Sequence, residues 1–245
     1  MVAVSYDLYI LILSLYTTLL FILSIYGYKS KGTLTKLFTL MSLTGFFFCG
    51  TVLITVFIEN IKLITFLNSI HSFAYVLFIS FWILFIGKYN NIDKLNYEKT
   101  RDILLIFPII ILDFVLLNLH YPLIIYYSTK DLIFIKGPVA YLTYIYFAFI
   151  TVLGEIILLN ELRNSDTKSR RSIFVLISVP LIPTLYFAAF PTPGMNFITL
   201  FYTISIFILF YTLYITNTFD FKPFLRETFL KNISVGMAFL MSMII

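Results

Sequence analysis

The sequence has few charged residues, and this shortage excludes an ordinary soluble domain. Only 12% of its 245 residues are charged, whereas a soluble domain has about 25%. Cysteine is nearly absent too: Cys49 is the only one, so no disulfide forms within the chain. Glycine and proline are scarce, and no Ser/Gly linker or internal repeat stands out. What remains is 60% hydrophobic, which predicts a polytopic membrane protein.

Catalytic and metal-binding motifs are also lacking. The sequence contains no Walker-type phosphate loop, nucleophile elbow, HExxH or CxxC. His71 and His120, the two histidines, lie at depths too different for an obvious metal site. The last apolar run, Met195–Ile215, has no lysine for a retinal Schiff base. We therefore expect no enzyme activity within these residues, and no metal or cofactor.

Long apolar runs are the main positive feature of the chain. A run of about 18 or more apolar residues is typical of a transmembrane helix. The sequence predicts seven, over Tyr9–Tyr26, Leu37–Ile58, Leu63–Ile86, Ile103–Leu119, Val139–Leu159, Ile173–Phe190 and Met195–Ile215. The predicted fold class is therefore an all-α membrane protein, a bundle of seven transmembrane helices.

The distribution of basic residues predicts the orientation of these helices. Of the 17 Lys and Arg residues, 14 lie in the first, third and fifth connecting loops and in the C-terminal tail. By the positive-inside rule these segments face the cytoplasm, and the N-terminus lies outside. The net charge of +5 is then explained by topology and anionic lipid, without nucleic acid. The expected location is the cell membrane, crossed several times.

One outer loop, residues 120–138, is long enough to form structure of its own. Leu123–Tyr127 and Leu132–Ile135 are short β-prone runs on either side of polar residues. They predict a small hairpin over the outer end of the bundle. The alternative is an irregular loop on the lipid headgroups.

Two ionisable residues lie inside the apolar runs. A charged side chain at bilayer depth costs roughly 2.5–3.5 kcal/mol on insertion scales unless it finds a partner. Asp113 lies about 15 Å along the fourth run and His71 about 12 Å along the third, so both are near the midplane. Asn68 shares the face of His71. We expect His71 and Asp113 to face each other or a shared polar cavity, because sequential helices are usually neighbours.

This polar pair has two interpretations. It is a ligand or proton site in which His71 changes its charge near neutral pH, or it is a hydrogen-bonded pair that fixes helix packing. Glu155, near the cytoplasmic boundary, is expected to snorkel toward Arg163 or a loop lysine. Trp82 is expected to anchor the inner interface.

Prolines interrupt several of the predicted helices. Each proline within a membrane helix frees a carbonyl group and favours a kink. Such a kink is either a hinge or a static bend. The prolines in question are Pro108, Pro180 and Pro183.

Several short motifs resemble one known family. Trp82 and Phe85 with Tyr89 are similar to the end of its third helix, and Asn118 with His120 to its step into the outer loop. Gly137-Pro138 and the segment from Phe219-Asp220-Phe221 through Pro223, Arg226 and Asn232 also fit. The chain thereby resembles the seven-transmembrane N-terminal sensor region of prokaryotic histidine kinases and related diguanylate cyclases. The family usually has Asp-Gly where this chain has Val235-Gly236.

The resemblance implies a sensor or receptor module for signal transduction. Residues 1–216 would form the membrane sensor domain, and 217–245 an exit helix leading to a truncated or missing cytoplasmic output domain. Candidate ligand-binding or proton-sensing residues are Asp113, His71, Asn68 and His120. Candidate signal-transmitting residues are Pro180, Pro183, Pro223 and Arg226. The implied partners are the bilayer, a small-molecule or peptide ligand, a fused or separate signalling partner and a second copy in a homodimer.

Two other functions compete with the sensor. A stand-alone membrane regulator, such as an accessory or immunity protein, would act by binding a partner. A small-solute transporter would show a continuous polar path and often paired half-repeats, and neither is evident in the sequence.

Overall fold

The architecture was analysed in a computed structural model of the chain. The structure describes residues 6–28, 32–89, 97–118, 125–128, 133–164, 170, 172–181 and 203–211. Predictions for Pro183, for His120 and for the tail with Pro223 and Arg226 lie outside these residues.

Seven helices and one small hairpin make up the described structure. The helices are α1 (Tyr6–Tyr28), α2 (Thr33–Thr55), α3 (Ile61–Tyr89), α4 (Tyr97–Leu117), α5 (Pro138–Asn164), α6 (Ser172–Leu181) and α7 (203–211). Each contains residues of one predicted apolar run, so the prediction of a seven-helix chain is confirmed. Among the described helical segments, Thr33–Thr55, Ile61–Tyr89 and Tyr141–Arg163 are long and apolar enough to cross a membrane. The orientation of the helices stays a prediction.

Local sequence explains where helices α3 and α5 begin. The side-chain oxygen of Asn60 accepts a 3.2 Å hydrogen bond from the Leu63 amide, which is N-cap geometry. The Asn60 carbonyl accepts the first intrahelical bond, from Ile64 at 2.9 Å. Helix α5 begins with Pro138, whose missing N–H costs nothing at a first helical position.

Helix α3 is the centre of the bundle, since it contacts α2, α4 and α5. The half of α3 nearer its C-terminus is buried almost continuously and includes Trp82, Phe85 and Ile86. Nearer its N-terminus, the side that faces α4 carries Ile70 and Phe73 against a separate apolar cluster. That cluster is built on Ile111 and Val115 of α4 and Val139 of α5, with Phe66, Phe107 and Phe114 packed around it.

The other helices pack around this centre through close approaches. Gly45 of α2 allows contact with α1 and α7, because a Cβ there would lie 2.9 Å from Ile206 and 3.3 Å from Leu20. Phe38 of α2 packs on Phe210 of α7 with ring centroids 5.6 Å apart. Helix α7 therefore lies against α1 and α2.

The predicted hairpin is present. Strands β1 (Ile125–Ser128) and β2 (Ile133–Lys136) pair antiparallel, with Ile125 opposite Lys136 and Ser128 opposite Ile133. Strand β1 contacts α3. Both strands reach one residue beyond the predicted runs, because β-propensity alone does not fix where pairing ends. The hairpin thus adjoins the central helix α3.

Candidate functional site

Asp113 lies on the exposed face of α4. The buried face of this helix is formed by Ile111, Val115 and Asn118. Asp113 is rotated away from them, beside Leu112 and Leu116, which are 39% and 56% exposed. Within the part of the chain that the structure describes, no group makes a hydrogen bond or ion pair with the Asp113 carboxylate. Its side chain therefore points out of the bundle.

The depth of Asp113 follows from a contact near the end of α4. The Asn118 side-chain amide donates a 2.7 Å hydrogen bond to the Ser69 hydroxyl, so these residues lie at one level. Ser69 is six residues inside Leu63, about 9 Å, and Asp113 is five residues farther in, about 7 Å more. Asp113 is thus level with a point about 16 Å along α3 from Leu63, and its depth in a membrane stays a prediction.

His71 lies on a different side of α3. Its ring stacks on Phe48 of α2 with centroids 3.8 Å apart. Its Nδ1 atom is 3.3 Å from the Phe48 carbonyl oxygen, so a proton on Nδ1 is donated to that carbonyl. Tyr75 continues the aromatic contacts, 5.9 Å from Phe48 and 4.3 Å from Phe147 of α5. His71 is therefore part of the packing between α2, α3 and α5.

The expectation that His71 and Asp113 face each other is wrong. Ile70 and Phe73 occupy the side of α3 that meets α4, and they rotate His71 toward α2. Packing of Ile111 and Val115 likewise rotates Asp113 outward. Asn68 is half-buried, and its carbonyl accepts the Ser72 hydroxyl at 3.2 Å. A role for any of these residues in ligand or proton sensing stays a prediction.

The polar contact that does join α3 and α4 is the one between Ser69 and Asn118. Asn118 is 4% exposed and Ser69 is fully enclosed. The Ser69 hydroxyl accepts from Asn118 and donates to the Thr65 carbonyl at 2.9 Å, so both the donor and the acceptor capacity of this hydroxyl are used. The sequence offered a signal for Asn118, which is part of the family motif, and none for Ser69.

A second polar contact satisfies the carbonyl group that Pro108 frees. Pro108 has no N–H, so the carbonyl four residues earlier, at Leu104, loses its intrahelical donor. The Tyr146 hydroxyl of α5 lies 3.2 Å from that oxygen and donates to it. The Ser80 hydroxyl is 2.8 Å from the Tyr146 oxygen and 2.9 Å from the Val76 carbonyl. Phe107 stacks on the Tyr146 ring at 4.2 Å.

A third contact repeats this pattern in α6. Pro180 lies inside the helix and frees the carbonyl four residues earlier, at Leu176. The indole Nε1 of Trp82 donates a 3.2 Å hydrogen bond to that oxygen. In α4 and in α6 alike, therefore, a side chain from a neighbouring helix satisfies the carbonyl that a proline frees.

Trp82 is therefore not an interfacial anchor, as the sequence had suggested. Its side chain is fully buried, and its ring lies against Gly154 of α5, where an added Cβ would overlap it. An aromatic residue near a helix end suits a headgroup layer or a close helix contact equally well. The contact forms because Gly154 has no side chain. Gly154 is far from Trp82 in the sequence, so the sequence did not predict this contact.

Glu155 follows Gly154 and is half-buried. Its Oε1 atom is enclosed and, among the described residues, has no hydrogen-bond partner. The expected snorkelling contact with Arg163 is not formed. The part of the chain that the structure describes also contains no group of three or more His, Cys, Asp or Glu residues able to hold a metal ion.

Comparison with known protein families identifies a match over most of the chain. The family described as the N-terminal 7TM region of histidine kinase matches residues 10–223, which is most of the chain. A search of curated proteins finds no match.

Proposed function

The chain belongs to the N-terminal seven-transmembrane region of histidine kinases, and on this premise we propose that it transmits a stimulus from its outer or intramembrane side to a cytoplasmic output domain or partner. The matched region is a membrane sensor region and not a catalytic domain. The positive-inside pattern supports the direction, because it puts the C-terminus in the cytoplasm.

One observation carries the proposal: α3 makes side-chain hydrogen bonds to α4, α5 and α6. Ser69 meets α4 nearer the N-terminus of α3, and Ser80 and Trp82, about 3 Å apart along the axis, meet Tyr146 of α5 and the Leu176 carbonyl of α6 nearer its C-terminus. A displacement of α3 therefore changes contacts with helices on the way to the C-terminus. Such coupling needs a structural element with two arrangements, and the equilibrium between them must depend both on the stimulus and on the output.

We propose that a kink at Pro180 of α6 is the element with two arrangements. The Trp82 indole stabilises one arrangement of the carbonyl that Pro180 frees, and loss of that bond favours another. This agrees with the sequence-based choice of Pro180 as a signal-transmitting residue. We also propose that the module acts as a homodimer, as the family resemblance implies. The stimulus enters through the outer hairpin or the polar contacts of α3.

The test is a fusion of the whole chain to the catalytic part of a histidine kinase, assayed for autophosphorylation in membrane vesicles. Trp82→Phe keeps an aromatic ring and removes the indole donor. A membrane hydrogen bond contributes about 0.6 kcal/mol on average, so basal phosphorylation should change about threefold.

The matched control is Trp82→Phe combined with Pro180→Ala, which gives the Leu176 carbonyl an intrahelical donor again. Phosphorylation in this double variant should equal that of Pro180→Ala alone, because without the freed carbonyl the indole has no bond to lose. If Trp82→Phe folds normally and leaves phosphorylation unchanged, the Pro180 kink does not transmit the signal.

A further inference from the structure

A strip of α4 that faces away from the bundle combines apolar residues with one carboxylate. We call it the Asp113 face. Asp113 lies among Ile109, Leu112 and Leu116, which follow helical spacing and are 60%, 39% and 56% exposed. Exposed apolar residues are ordinary where a helix meets lipid. A carboxylate at mid-membrane depth on the same strip is not, because hydrocarbon offers it no hydrogen bond.

The part of the bundle that the structure describes does not supply the missing partner. The buried polar contacts of α4 are made by Asn118 and by the Leu104 carbonyl, both on the opposite side of the helix. All 17 Lys and Arg residues of the sequence lie outside the seven apolar runs. A second copy that packs through the same face would therefore bring carboxylate to carboxylate, and would bring no cation to Asp113.

From this charge pattern we propose that the Asp113 face binds a transmembrane helix of a different protein, one that carries a Lys or Arg near its own midpoint. The apolar residues one turn above and below Asp113 provide the helix-packing surface. The carboxylate provides a charge-assisted hydrogen bond that is not screened by water in the hydrocarbon. This proposal goes beyond the sensor function, since it needs no particular stimulus and no output domain.

The test uses a defined probe, a synthetic polyleucine helix with one central lysine, and its all-leucine counterpart. Each probe is reconstituted with the full chain in lipid vesicles at neutral pH, and association is measured by fluorescence energy transfer between end labels. The lysine probe should bind the wild-type chain about tenfold more tightly than the all-leucine probe. Asp113→Leu and Asp113→Asn should remove most of this preference.

The matched control is Asp102→Asn on the same helix. Asp102 is exposed at the cytoplasmic end, 2.8 Å from Arg101, and lies outside the apolar run. This variant should keep the full preference for the lysine probe. Equal binding of both probes to the wild-type chain would overturn the proposal. So would self-association of the chain that Asp113→Leu abolishes, because that result assigns the face to a second copy.

The result is distinguishable from failure of the sensor function. Probe binding is measured without a kinase domain, and the phosphorylation test changes only residues of α3 and α6.

Discussion

The Tyr146 hydroxyl lies 3.2 Å from the Leu104 carbonyl oxygen, which Pro108 leaves without its intrahelical donor. Inside a membrane an unsatisfied carbonyl is costly, because no water replaces the lost bond. A proline in α4 and a tyrosine in α5 thus form a pair whose members depend on each other.

Tyr146→Phe should lower the free energy of unfolding by about 1 kcal/mol. Pro108→Ala restores the donor within α4, so the same Tyr146→Phe change should cost less in that background. A double-mutant cycle, with unfolding by SDS titration in mixed micelles, measures the difference. Tyr141→Phe, at a position 59% exposed, is the control and should change little. Equal costs in both backgrounds would show that the two residues are not coupled.

Gly154→Ala should destabilise the bundle by about 1–3 kcal/mol, because the added methyl group overlaps the enclosed Trp82 ring. Gly87→Ala is a matched control on α3. Nothing lies within 4 Å of a Cβ at Gly87, so that variant should be neutral or more stable by up to about 1 kcal/mol. Thermal unfolding in detergent measures the change in stability of each variant. A neutral Gly154→Ala would contradict the close contact.

Trp82 is the only tryptophan in the chain, so intrinsic tryptophan fluorescence reports on one site. Since its side chain is fully buried, emission should be blue-shifted and weakly quenched by aqueous iodide or by brominated lipid. Gly154→Ala should increase quenching if it displaces the ring. Strong quenching by brominated lipid in the wild-type chain would show that Trp82 faces lipid and is not buried between helices.

Cys49 is the only thiol and is fully buried, with its sulfur 3.0 Å from the Thr203 hydroxyl of α7. A maleimide reagent should therefore label the folded protein slowly and the SDS-unfolded protein fast. Thr203→Val should speed labelling in the folded state, because it removes a contact between α2 and α7. A cysteine placed at the exposed Glu59, which lies between two apolar runs, in a Cys49→Ala background is the reference for a freely labelled site.

The relative level of two residues on neighbouring helices could be predicted from the sequence, but rotation about the helix axis could not. Counting residues from the ends of the apolar runs predicts similar levels for Asp113 and His71, and the contact between Ser69 and Asn118 agrees with this. The side to which each residue points depends on which apolar neighbours meet first. Ile70, Phe73 and Ile111 make the contact that sets this rotation. In the sequence they cannot be told apart from the apolar residues on the other sides of the same helices.

The prolines illustrate the same limit for contacts between distant residues. Pro108 and Pro180 predict two carbonyl groups without intrahelical donors. The groups that satisfy those carbonyls, Tyr146 and Trp82, come from other helices, and nothing in the local sequence identifies them. The hairpin was easier to predict, because the β-prone runs that form β1 and β2 are close together in the chain and pair locally.

The lengths of α3 and α5 relate this bundle to the lipid around it. Their 29 and 27 residues correspond to about 43 and 40 Å, against a hydrocarbon layer of about 30 Å. Their polar ends reach into the headgroup layers. The apolar run of α3, residues 63–86 or about 36 Å, still exceeds the hydrocarbon and fits by tilting or by thickening the bilayer nearby. Because α3 touches α2, α4 and α5, its tilt is shared by its neighbours. Acyl-chain length is thus a variable to which the geometry of the whole bundle responds.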